Sequence, residues 1–116
     1  LIYPSPISPV NILNHIRINK KNILKDKNFY LKDEVNYSKN FFVNYNSEIF
    51  ELFNETKIEN LYKINLESIF CPENQCIFYD NNNSYIFDNA HPSYEGSKMI
   101  NNLIIKKIKE IELKSN

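Results

Sequence analysis

Apolar positions are spaced most regularly near the end of the chain, where Ile100, Leu103, Ile104, Ile108 and Ile111 recur opposite Lys106, Lys107, Lys109 and Glu110. That period predicts an amphipathic helix from Ser93 to about Leu113. A second stripe, Phe42, Tyr45, Ile49, Leu52 and Phe53, predicts a helix to about Asn54, with Ser38 capping its free amides. LYKINL, Leu61 to Leu66, alternates apolar and polar residues and suits a strand. Ile77 to Tyr79 and Tyr85 to Phe87 flank the turn-rich DNNN as a hairpin. Leu1 to Tyr3 reads as the end of a buried strand, because Pro4, Pro6 and Pro9 forbid regular pairing beyond it. Val10 to Leu24 follows neither period cleanly and is expected to be a short helix or irregular. The charged stretch from Lys25 to Asn36 is expected to be a surface loop.

This order of elements belongs to the α/β class and looks like the second half of a three-layer domain. In such folds ligands gather beyond the carboxyl ends of the strands, and Asp88-Asn89-Ala90-His91 lies between a strand and the final helix. A length of 116 residues is enough for one domain with a core. The start at Leu1, in a strand already under way, is expected of a piece of a longer domain. With 42% hydrophobic and 14% aromatic residues the chain is rich enough in apolar side chains to exclude general disorder. Its 14 basic and 14 acidic residues cancel, so average charge supplies no drive toward nucleic acid or an anionic membrane. No apolar run approaches the roughly 20 residues of a membrane-spanning helix. The excess of Asn, Lys and Ile is what A+T-rich coding produces, and Asn-x-Ser/Thr patterns at Asn36, Asn54 and Asn82 are expected by chance at this composition.

Asp88 and His91 carry the most specific chemistry. An imidazole is the simplest general base near neutral pH, and it works best when a carboxylate holds its far nitrogen. Three residues apart on a loop before a helix, the two can fold back into contact. Pro92 restricts His91, and Ser93 can cap the helix that follows. The plainer alternative is a surface turn in which Asp88 and Ser93 only cap backbone amides. Cys71 and Cys76 enclose four residues and are open to three readings: a disulfide, free core thiols or a metal site. Zinc would need two more ligands, and His15 and His91 are not at finger-like spacings. His15 is expected to be partly exposed and without a catalytic role. Phe41, Phe42, Tyr45, Phe50 and Phe53 are expected in the core, with a partner-binding face as the alternative.

The stretch from Ile69 to Ile104 resembles the closing segment of the SGNH (GDSL-type) hydrolase superfamily, whose last motif is Asp-x-x-His followed by a helix. More narrowly, it resembles the SGNH domain fused to membrane-bound bacterial surface-polysaccharide acyltransferases of the O-antigen acetylase-like kind. There a Cys-Pro-x-x-x-Cys stretch precedes a short hairpin, a Tyr-x-x-Asp-x-x-His-Leu-Ser motif and a final helix. The counterparts here are Cys71, Pro72 and Cys76, then Tyr85, Asp88, His91 and Ser93. LIYPSPISPV is similar to the strand and proline-bearing loop that those domains carry midway. Pro92 departs from the leucine of the fused version, and Gly96 is the one glycine.

The resemblance implies the C-terminal portion of a three-layer α/β/α, flavodoxin-like domain, with residues 1–116 lacking the N-terminal nucleophile motif. It implies an acyltransferase or esterase working on O-acyl, in particular acetyl, groups of bacterial cell-surface glycans through a serine acyl-enzyme. His91 would be the general base and Asp88 its orienter. No metal or organic cofactor is implied. The implied partners are a glycan, an acyl donor and a fused integral-membrane acyltransferase, on the periplasmic or extracytoplasmic face. A disulfide between Cys71 and Cys76 would agree with that compartment. No Gly-Asp-Ser motif surrounds Ser5, Ser8, Ser38, Ser47, Ser68, Ser84, Ser93, Ser97 or Ser115, so the nucleophile is expected elsewhere. The rival from another class is a non-catalytic α/β fragment or degenerate domain that binds glycan or a protein.

Overall fold

In the computed structural model, which describes residues 1–116, the proline-rich opening gives way to helix α1, Ile12–Lys25. The side chain of Asn11 accepts a hydrogen bond from the Asn14 amide and so supplies the cap that starts α1. Ile12, Ile16 and Ile23 turn inward from this helix. Their spacing is helical, but exposed Leu13, Ile18 and Leu24 obscure it in the sequence. The charged stretch after α1 departs from the expected surface loop. It contains the single-turn helix α2, Phe29–Lys32, and buries Asp33 and Val35.

A two-stranded antiparallel ladder follows, with β1, Tyr37–Ser38, pairing to β2, Gln75–Cys76. Two residues per strand leave no periodic signal, and neither strand is legible in the sequence. Ser38 then caps the next helix through the Phe41 amide, 3.1 Å away. The expected single helix is broken at Asn46 into α3, Lys39–Tyr45, and α4, Ser47–Glu55. Asn46 donates its side-chain amide to the Phe42 carbonyl at 2.9 Å, occupying an acceptor at the helix end. Its aromatic residues divide accordingly. Phe42 and Phe50 enter the core, where Phe50 packs 5.2 Å from the Tyr3 ring, whereas Phe41 and Tyr45 are exposed rather than buried as expected.

The strand expected over Leu61 to Leu66 is reduced to one parallel bridge between Ile2 and Ile64. Tyr3 donates to the Ile64 carbonyl at 2.9 Å, and Ile64 donates to that of Leu1 at 2.8 Å. Helix α5, Glu67–Phe70, leads into a 3-10 turn, Pro72–Asn74, inside the Cys71–Cys76 disulfide. Glu73 and Asn74 are left-handed there, with φ of 50° and 72°. The hairpin turn forms around DNNN, with Tyr79 bridged to Ser84 and Tyr85 donating to the Phe78 carbonyl at 2.9 Å. Helix α6, Tyr94–Ser115, ends the chain. Its apolar stripe meets the core at Ile100 and Leu103, while Ile108 remains 49% exposed. Helices around short strand pairings give a mixed α/β architecture, and none of the helices is long and apolar enough to cross a membrane.

The crosslink closes a loop of only six residues, which limits how far it can restrict the unfolded chain. A Cys71→Ala/Cys76→Ala variant is expected to lose about 2 kcal/mol of stability by that entropy argument. Urea unfolding of the variant and the oxidised parent measures the difference; equal midpoints would contradict the expectation.

Candidate functional site

Asp88 organises its own loop. Its Oδ1 accepts the amides of Ala90 and His91, both at 2.9 Å, while Oδ2 lies 2.7 Å from His91 Nδ1. The His91 and Ala90 amides, then the His91 ring, hold the Asp88 carboxyl far below the usual carboxylate range. The group is therefore a carboxylate at neutral pH and can only accept. Nδ1 must carry the shared proton, which leaves the Nε2 lone pair of a neutral imidazole free. Nε2 makes no hydrogen bond within the chain, and the His91 side chain is 72% exposed.

The loop is held from both ends. Phe87 donates to the His91 carbonyl at 3.0 Å, and the Phe87 and His91 rings stack with centroids 5.7 Å apart. Ser93 accepts from the Gly96 amide at 3.1 Å to cap α6, while its own hydroxyl donates to the Ser84 carbonyl. On the other side, Ile12 at the start of α1 donates to the Asp88 carbonyl at 3.0 Å. Ser8 donates to that of Asn89 at 2.7 Å. Two segments some eighty residues apart in sequence thus brace one turn.

An open groove of about 320 Å³ adjoins the proline loop, walled by Ile7, Pro9, Tyr37, Phe41 and Tyr45. Tyr37 both accepts from the Ile7 amide and donates to its carbonyl, and burial pushes its phenol up to about 12. The Phe41 and Tyr45 rings stack 6.1 Å apart along the rim.

A second His/Asp pair was not legible in the sequence. His15 Nε2 lies 2.6 Å from Asp33 Oδ2, which also accepts from the hydroxyl of fully buried Tyr79. Burial and then the Asp33 contact drive the Tyr79 phenol strongly upward. The sequence separations of 18 and 46 residues offer no local signal. This pair differs from Asp88 and His91 in exposure, since the Asp33 side chain is 3% exposed. The Asn19 side-chain amide donates to the His15 carbonyl at 3.1 Å and lies 3.4 and 3.5 Å from the two ring nitrogens, beside the ring. The cluster ties α1 to the hairpin.

No serine hydroxyl bonds to His91. Ser8 accepts from the Val10 amide at 3.2 Å, and the hydroxyls of Ser84 and Ser93 donate to backbone carbonyls.

A family model described as "SGNH domain (fused to AT3 domains)" matches residues 1–106. The chain belongs to this SGNH family. No curated protein and no solved structure matches it significantly. The match covers the proline loop, the paired cysteines and the Asp88–His91 turn within one domain type. Membership in a family of SGNH domains fused to AT3 acyltransferase domains brings an acyl-related hydrolase or transferase role.

Proposed function

We propose that this SGNH domain serves serine-type acyl transfer or ester hydrolysis on O-acyl, in particular O-acetyl, groups of bacterial cell-surface glycans. His91 is the general base and Asp88 its orienter. The observation that carries the reading is an Nδ1–H held by an ionised carboxylate, with Nε2 unpartnered and open to solvent. That nitrogen takes the proton of an attacking hydroxyl as the acyl bond forms and returns it to the leaving group when the bond breaks. No step calls for a metal or organic cofactor.

The nucleophile and oxyanion donors come from a segment outside these 116 residues. Two features support this: no serine hydroxyl is bonded to His91, and the amide and carbonyl of Ile2 are unpaired on the strand edge away from Ile64. A parallel strand added at that edge would extend the short pairing toward a three-layer α/β/α, flavodoxin-like domain. The stacked Phe41 and Tyr45 rings offer a sugar ring a flat apolar surface beside the proline loop, which supports a glycan acceptor. The disulfide supports an oxidising, periplasmic or extracytoplasmic setting for a domain fused to an integral-membrane acyltransferase.

The 116-residue chain alone is expected to show no turnover of a small activated acetate ester above background. Turnover that disappears with His91→Ala in this chain would put the nucleophile inside it and overturn the divided site. The rival reading draws on the same turn. Asp88 Oδ1 accepting two amides is also what a purely structural lead-in to α6 requires. A complete protein whose activity ignores Asp88 and His91 would favour that rival.

A further inference from the structure

The neutral total charge conceals a segregation. Helix α1 carries Arg17, Lys20, Lys21 and Lys25 and no acidic residue, whereas α4 carries Glu48, Glu51 and Glu55 and no basic one. None of the four α1 cations is in a salt bridge, and the one side-chain hydrogen bond of Arg17 goes to Asn14, within the same helix, at 2.8 Å. The nearest acid in sequence, Asp26, is already paired to Lys32 at 3.1 Å.

Exposed apolar residues are interleaved with those cations. Leu13 is 51% exposed, Ile18 70% and Leu24 74%. Leu13, Arg17, Lys20 and Leu24 fall at three- and four-residue steps and therefore share one solvent-facing stripe, roughly a quarter-turn around the helix from the inward Ile12, Ile16 and Ile23. Lys21 lies beside it. The leucines stand beside four cations that no carboxylate of the chain neutralises. A lipid interface takes both, because leucines enter the acyl boundary while Lys and Arg stems extend to anionic headgroups.

We propose that the outer face of α1 docks on an anionic membrane surface, with Leu13 and Leu24 inserted and Arg17, Lys20 and Lys21 on the headgroups. Charge complementarity selects the occupant, and the reading stands independently of the role given to His91. It has a consequence for the neighbouring loop. The Ile12 amide at the start of α1 is bonded to the Asp88 carbonyl, so a membrane-bound α1 holds the Asp88–His91 turn at the lipid boundary.

The test is co-sedimentation of the 116-residue chain with phosphatidylcholine vesicles, with and without about one-third phosphatidylglycerol. Binding is expected only to the anionic vesicles, weakening as salt rises. Each of Arg17→Gln, Lys20→Gln and Lys21→Gln is expected to weaken it about fivefold, whereas Lys106→Gln on α6 leaves it unchanged. Because the chain has no tryptophan, Leu24→Trp provides a reporter whose emission shifts to the blue on anionic vesicles. The reporter reads insertion directly, even should a charge variant fail to fold. Equal binding to both vesicle types, an unshifted reporter, or binding of a soluble polyanion without binding of vesicles would each overturn the proposal.

Discussion

In the complete protein, His91→Ala is expected to lower acyl transfer or hydrolysis by about 10²- to 10⁴-fold, the usual range for loss of a general base. Asp88→Asn is expected to cost less, on the order of 10- to 10³-fold. The asparagine oxygen can still accept the Ala90 and His91 amides, so the turn persists. What is lost is the negative charge that stabilises the imidazolium once a proton has been taken. An amide can also donate to Nδ1 and so favour the wrong tautomer. In the serine-protease triad the equivalent change costs about 10⁴ in turnover. The smaller loss here follows from exposure, because water reaches a ring 72% open to solvent and partly replaces the carboxylate.

The sign of the pH dependence follows from the lowered Asp88 carboxyl. A depressed folded-state value means that its stabilisation is present above the ordinary carboxylate range and is lost as pH falls through the depressed value. Mild acid should therefore leave the Asp88 charge in place. Activity assayed with folding monitored by circular dichroism decides the matter: wild-type rates in both folded variants would reduce the loop to a helix-capping turn.

Legibility in the sequence followed the range of the interactions. Helix α6 and the Ser38 cap were legible because side chains three or four residues apart share a face and a cap acts over one turn. The Asp88–His91 contact was legible for the same reason, since both atoms belong to one turn. The β1–β2 ladder and the His15–Asp33–Tyr79 cluster were not, because each joins segments far apart in sequence with no repeating pattern. Lys25 to Asn36 misled for a different reason. Its charges are those of a loop, but Asp33 is buried as an acceptor for His15 and Tyr79, a satisfied polar group that composition cannot distinguish from a solvated one. The cationic stripe on α1 was hidden by averaging, since the whole-chain charge sums α1 with α4.

Gly96→Ala is expected to destabilise the domain by about 3 kcal/mol, against the roughly 1 kcal/mol gain that alanine brings to an ordinary helix interior. Gly96 is buried in the first turn of α6, where an added Cβ would collide with the Tyr85 carbonyl and approach Pro92 Cβ to 3.4 Å. The obstacle is backbone, so no side-chain rotation relieves it. Helix α6 must back away from the hairpin, which strains the bond from the Ser93 amide to that same carbonyl, 3.0 Å long, and the one from the Ser93 hydroxyl to Ser84. Those two bonds fix the far end of the Asp88–His91 turn. Any molecules that still fold should therefore carry a displaced His91 and lose activity beyond what the folded fraction explains. Ser97→Ala, one residue further along on the exposed side, is the control and should be close to neutral. Urea denaturation of the two variants separates the cases. A stabilised Gly96→Ala protein would show that α6 does not rest on the Tyr85 backbone, and the bracing assigned to the His91 loop would fall with it.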